Sequence, residues 1–302
     1  MAKLLGENGL QPRTVASDFP NSFATNRPEG YFGEMKSKNG GVIGALESQA
    51  LAFCQSRDEK TLASGDLVSS LRWTVLQERR VLSRLALKGL IVRVRNGLYL
   101  VPSRLPPGGR WSPGEFLSLT TLINDQSGRY QISGPSAFYR YGWTEQVPNR
   151  VYAYNNRISG DRQIGSSAFT LIKVADDRLG ATEVVRVPEG VDVVYSSRAR
   201  SLVDAVQDCS RFDSLPRAYA WIETEVARGG FAAELVETTI GFGNQGTIRR
   251  VGFALERAGI AENLLRKLAR QLTPSSAYAP WIPSREKRGT KNRRWEILAN
   301  DE

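Results

Sequence analysis

The sequence predicts a two-part α+β protein. Three observations carry that reading. Residues 61–101 pass from helical to strand-like periodicity, residues 102–115 are crowded with Pro and Gly, and short β-rich runs then alternate with helices. The 302 residues are 41% hydrophobic and 24% charged, which suits a globular chain of about two domains. Lys and Arg number 41 against 31 Asp and Glu, a net charge of +10. That surplus favours a polyanionic partner and says nothing about fold.

Residues 1–42 mix Pro, Asn, Ser and Gly without a sustained period and read as a flexible arm. Residues 43–104 follow. Within them TLASGDLVSSLRW predicts a short helix capped near Ser64, with a break at Arg72-Trp73. Thr74-Val75-Leu76-Gln77 then matches a capping box, in which the Thr hydroxyl and the Gln amide satisfy orphan backbone groups. The helix runs to about Lys88, where Gly89 suits a left-handed C-terminal position. Two β-prone runs come next, joined by Asn96-Gly97, the pair favoured in a type I′ hairpin turn. Helix, turn, helix and hairpin in that order predict a winged helix-turn-helix.

At about 100° per residue, Gln77, Arg80, Arg84 and Lys88 share one sector of the second helix. Val75, Leu82, Leu85 and Ala86 are expected opposite them, against the core, with Arg79 near that apolar side. A DNA-reading helix needs such a division, because Arg and Gln bond base edges while Lys and Arg neutralise phosphates. Arg93 and Arg95 fall on one face of the wing. The predicted DNA-contacting set is therefore Thr74, Gln77, Arg80, Arg84, Lys88, Arg93 and Arg95. Residues 44–104 hold ten Lys/Arg against five Asp/Glu, so half the charge excess sits in a fifth of the chain.

Residues 105–114 read as a linker, and Ser112-Pro113-Gly114-Glu115 as a second capping box opening FLSLTTLIND. Residues 115–302 then read as a mixed α/β domain expected to fold by itself. Its strands are VYAYNN, AFTLIKV, TEVVRVP and VDVVYS; its clearest helices are SLVDAVQDC, SLPRAYAWIETEVARG and GTIRRVGFALERAG through LLRKLARQL. Arg200 and Asp204, spaced i,i+4, suit an ion pair. Glu223 and Glu225 read as solvated, and Arg285–Arg294, six bases against one acid, as a loop between two strands.

Enzymatic chemistry is not expected. The chain has no histidine, which removes imidazole catalysis, Ser-His and Cys-His nucleophiles, and His-bearing zinc sites. It has no Gly-Lys dipeptide, hence no phosphate-cradling P-loop, and Gly165-Ser166-Ser167 lacks a following carboxylate pair. Cys54 and Cys209 are too few for a zinc site and read as buried thiols. No metal or cofactor is expected. The opening MAKLLGENGLQP lacks the apolar core of a secretion signal, and no apolar run is long enough for a membrane span, so cytoplasmic residence is expected.

These residues resemble a family, the AbiEi-type antitoxins and regulators of type IV toxin–antitoxin and abortive-infection systems. LSRLALKGLIVRVRNGLYLVP, residues 82–102, is similar to the close of the family's N-terminal winged helix, with Gly97 and Tyr99 keeping its ending. ISGPSAFYRYGWTEQVPNRVYAY, residues 132–154, is similar to the start of its antitoxin domain. RARSLVDAV from Arg198 resembles its Arg-Thr-Leu-x-Asp helix, with Ser201 in place of Thr, and GTKNRRWEILAN resembles its closing strand. The resemblance covers residues 44–302. It implies repression of the chain's own operon through the winged helix, and neutralisation of a nucleotidyltransferase-like toxin, by contact or indirectly. Operator DNA is the expected partner, with a homodimer on it one arrangement and the oligomeric state left open. The alternative is a stand-alone winged-helix regulator without a toxin partner.

Overall fold

Residues 43–57, 59–106, 109–188 and 190–301 are described by the structure, a computed structural model; the arm expected over residues 1–42 lies outside them. The fold is mixed α+β. The chain opens with α1 (Ala45–Arg57), β1 (Thr61–Ala63), α2 (Asp66–Leu71), α3 (Val75–Leu87), β2 (Val92–Arg95) and β3 (Leu98–Leu100). The three strands form an antiparallel sheet in the order β1-β3-β2. The apolar faces of the helices close on that sheet through Leu51, Leu62, Leu67, Trp73, Leu82 and Leu85.

The Asn96-Gly97 turn differs from the expected type I′. That type needs positive φ at both residues, and only Gly97 has it, at φ 80°. The register shifts between Arg93 and Arg95 instead, so the hairpin is bulged and more strongly twisted.

The irregular stretch after β3 leads to α4 (Glu115–Asn124), whose N-cap is Gly114 rather than Ser112. The helix begins at Glu115, and the Ser112 hydroxyl instead bonds Ser166 at 2.8 Å. Next come β4 (Tyr130–Ile132), α5 (Gly134–Arg140), β5 (Val151–Asn155), β6 (Gly160–Ile164), β7 (Ser167–Lys173), β8 (Thr182–Arg186) and β9 (Asp192–Ser196). They build a six-stranded mixed sheet in the order β6-β7-β5-β4-β9-β8. The strand β4 is only three residues long and β6 is polar up to its last residue, so their place in the sheet comes from their neighbours.

Alternate residues of this sheet face two cores, as the two-residue period of a strand requires. Val151, Ala153, Phe169 and Leu171 face α4 through Leu119, Leu122 and Ile123. Tyr154 and Ile172 face a helical layer. That layer comprises α6 (Arg198–Gln207), α7 (Cys209–Phe212), α8 (Arg217–Ala227), α9 (Phe231–Phe242), α10 (Gln245–Arg257) and α11 (Glu262–Ala269). The final strands β10 (Ala279–Pro280), β11 (Thr290–Asn292) and β12 (Ile297–Ala299) form a small sheet beside it. The basic segment 285–294 thus contributes a strand of its own.

The first core is not closed off from the second. Val92, Val94, Leu98 and Leu100 of the hairpin belong to the same apolar cluster as α4 and the central sheet. Arg95 adds an ion pair to Asp125 at the end of α4, with Nε–Oδ2 2.5 Å. Residues 102–106 and 109–114 are irregular, but the apolar surface on either side of them is shared.

In the helical layer, Arg200 Nε donates to Asp204 Oδ1 at 2.9 Å, and both side chains are wholly buried. Ser133 donates to the other carboxylate oxygen at 3.0 Å, and the guanidinium reaches the carbonyl of Arg178 at 2.8 Å. Burial pushes the Asp204 carboxyl up, and Arg200 opposes that shift. Glu225, expected in solvent, is buried instead. Its carboxylate accepts from Trp143 Nε1, Arg198 and Arg228 at 2.7–2.9 Å, because α5 and its following loop close over α8.

Trp295 is fully buried against α10 at Gly252, where an added Cβ would lie 2.1 Å from the indole. Gly252→Ala is therefore expected to force Trp295 out of its slot, at a cost of about 1–3 kcal/mol. Urea unfolding of the two chains measures this.

Candidate nucleic-acid interface

The geometry of α2 and α3 starts from two carboxylates. The turn before α2 carries Gly65 at φ 106°. Asp66 accepts from the Ala63 N–H at 2.7 Å, and Glu78, 3% exposed, reaches back from α3 to accept from the Gly65 and Leu67 N–H groups at 2.9–3.0 Å. Glu78 thereby satisfies orphan donors at the start of α2 and ties the two helices together. Arg72, at φ 56°, ends α2, and Thr74 starts α3 with the full capping box to Gln77. Gly89 takes φ 71° after the helix, as its position requires.

The face of α3 that packs is Glu78, Val81, Leu82 and Leu85. Val75, expected inside, is 65% exposed, and Leu76 and Leu87 are exposed with it. The outward face is therefore rotated from the expected sector. It centres on Leu76, Arg80, Ser83 and Leu87, flanked by Arg79 and Arg84. The rotation has a local cause: Glu78 must point inward to bond α2, a tertiary contact with no signature in apolar periodicity.

The seven predicted contact residues divide accordingly. Arg80, Arg84 and Arg93 are exposed and form no ion pair among the described residues. Thr74 and Gln77 are exposed but engaged in the cap, the Gln77 carbonyl oxygen accepting from the Thr74 N–H at 2.8 Å. Lys88 pairs with the buried Glu47 of α1 at 2.5 Å. Arg95 grips Asp125 through two nitrogens, and that bond holds its pKa above the usual guanidinium value. Arg79, absent from the predicted set, stands exposed on α3. The wheel places Arg79 near the apolar side, and the rotation of the outward face turns it to solvent.

A cleft of about 700 Å³ separates α3 from the hairpin. Val75, Arg79, Ser83 and Leu87 line one wall, and Arg93 and Tyr99 the other. No carboxylate opens onto it except Glu78, whose oxygens are bonded to α2.

The body offers less. A cavity of about 440 Å³ beside the stacked Tyr219 and Trp281 rings has an Arg257–Asp301 ion pair at its edge, and no Ser, Thr or Cys lines it. Among the described residues, no three His, Cys, Asp or Glu side chains gather as metal ligands. No described helix is long and apolar enough to cross a membrane. Cys54 is buried, and burial pushes its thiol up to about 11.

The Glu47–Lys88 pair gives the module a pH signature. Burial alone would raise the Glu47 carboxyl, but the Lys88 bond and the Gly44 N–H outweigh it and hold it below the ordinary value. A depressed carboxyl contributes stability above its unfolded value, about 4.3, and loses it as pH falls through the folded one. Glu47→Gln is thus expected to destabilise near neutral pH, with a penalty that shrinks toward about pH 3. Denaturation midpoints of both chains across that range are the check; a penalty independent of pH contradicts the assignment.

No family model matches the chain, and no curated protein is similar to it. Among solved structures it is similar to the crystal structure of the RV2827C protein from Mycobacterium tuberculosis, with a TM-score of 0.55 and 14% identity over 85% of this chain and 92% of that one. At that identity the likeness concerns the fold alone, and the fold is shared across most of both chains.

Proposed function

We propose that residues 43–104 form a winged helix-turn-helix that binds operator DNA. The chain is then a transcriptional repressor that also acts as the antitoxin of a type IV toxin–antitoxin system in the cytoplasm. One observation carries the DNA reading. Arg79, Arg80 and Arg84 on α3, with Arg93 across the cleft, form an exposed cationic surface with no carboxylate facing outward among them. A merely solvated helix face interleaves both signs. Here Glu78 and Glu47 point inward, and the bases point out. In this reading α3 lies in the major groove, Arg80 and Arg84 reach base edges and phosphates, and Arg93 approaches the backbone from the wing. A homodimer on paired half-sites belongs to the same reading.

The antitoxin role rests on the resemblance of residues 132–154 and 198–206 to the AbiEi-type body. A nucleotidyltransferase-like protein is the toxin so implied. The body's polar groups support a binding rather than a catalytic part, since Arg200, Asp204 and Glu225 are each bonded to structural partners.

Arg80→Ala and Arg84→Ala are each expected to weaken operator binding by about 1–3 kcal/mol if the side chain reads a base. Arg93→Ala is expected to lower the salt-dependence slope by about one. Arg95→Ala should act mainly on stability, through the lost Asp125 pair. Anisotropy titrations over a salt series measure these, and unchanged affinity in a folded Arg80/Arg84 double variant overturns the DNA reading. The antitoxin role is tested separately. With the toxin under an independent promoter, the full-length double variant should still restore growth, since its body is intact. Failure of the unchanged chain to restore growth leaves the stand-alone regulator.

A further inference from the structure

We infer that Val75 and Leu76 read the C5-methyl group of thymine in the major groove, so that the bound sequence carries thymines under the N-terminus of α3. This rests on the DNA-binding reading above. The starting observation is the exposure of large apolar side chains on an otherwise cationic face. Val75 is 65% exposed and Leu76 55%, although both begin a helix whose opposite side is well packed. They occupy the first two positions after the Thr74 cap.

Those are the positions from which a groove-inserted helix contacts base edges. A groove lined by hydrogen-bonding edges offers an apolar side chain one complementary partner. Among the four bases only thymine presents a methyl there, and apolar contact with it is the usual mode of recognition.

The surroundings select DNA over a protein occupant. Val75 sits beside Arg79 on the wall of the cleft, and Arg93 faces them from the hairpin. Leu76 is followed one turn on by Arg80, and Arg84 follows Arg80. A second copy of this chain would have to bury those cations against each other. A phosphate-lined groove neutralises them while the apolar tip meets the base edge. The capping box fixes the backbone of both residues, so the two side chains are presented with little freedom left to lose.

The test uses a duplex that the full-length chain selects from a randomised library. Its thymines are replaced singly by deoxyuridine, which removes one methyl group and keeps every hydrogen-bonding edge. The unchanged chain should bind three- to tenfold more weakly at one or two positions per half-site. Val75→Ala or Leu76→Ala, both on exposed helical positions where Ala is well tolerated, should bind the thymine and deoxyuridine forms of those positions equally. If every deoxyuridine duplex binds as tightly as the parent, or the alanine variants keep the discrimination, the inference is overturned while DNA binding stands. If the chain selects no duplex at all, both readings fall together.

Discussion

The hairpin of β2 and β3 buries one face in the body and leaves Arg93 and Arg95 exposed on the other, and most of the architecture depends on it. Val92, Val94, Leu98 and Leu100 pack on α4 and the central sheet. Tyr99, from the alternate face, packs against the cluster formed by Leu62, Leu82 and Leu85. Even with β1 beside the hairpin, so short a sheet needs an apolar face packed on another layer to be stable in water. Here it is held because its apolar face joins the body's core, while Tyr99 on the other face touches the helices. Its orientation, and with it the position of Arg93 opposite α3, is therefore set by the body. The Trp111 N–H to Gly89 carbonyl bond at 2.8 Å and the Ser112–Ser166 contact hold the irregular connection down as well. A cut in that connection would bare the inner faces of both the hairpin and α4.

Electrostatic sorting accounts for the cationic surface of α3 and the hairpin. The first 60 described residues do not lack acids, but all except the exposed Glu59, which pairs with Arg57, are turned to partners within the fold. Glu78 bonds the backbone of α2, Glu47 holds Lys88, and Asp66 accepts from the turn before it. Each hydrogen bond made by a buried carboxylate avoids the desolvation cost of leaving it unpaired. The consequence lies on the opposite surface, where Arg79, Arg80, Arg84 and Arg93 are exposed and form no ion pair among the described residues. The field of the outer face is thus a by-product of how the inner polar groups are satisfied.

In the body the same economy of polar groups serves fold specificity. Arg200 and Asp204 lie wholly inside, between the sheet and α9, and the guanidinium rests 4.2 Å from the Phe242 ring centroid. Breaking such a pair by removing one partner costs more than the pair contributes, because the other charge stays buried. Glu225 gathers Trp143, Arg198 and Arg228 in a comparable way. These contacts fix helices relative to the sheet, and their carboxylates are already engaged.

The local elements with strong short-range chemistry were legible in the sequence. The capping box at Thr74 and Gln77, the glycine after α3, the hairpin at Asn96-Gly97 and the i,i+4 spacing of Arg200 and Asp204 all appear where their residues demand. So do β5, β7, β8 and β9, whose apolar alternation is intrinsic to the strand. What tertiary structure alone decided was direction and pairing. The outward face of α3 was set by Glu78 turning to α2, the pairing of Lys88 and Arg95 by acids 41 and 30 residues away in sequence, and the burial of Glu225 by a loop closing over it. Strands β4 and β6 exist because neighbouring strands supply their hydrogen bonds. Periodicity and capping act within a few residues and are written in the sequence; contacts between distant segments depend on packing, which no local pattern specifies.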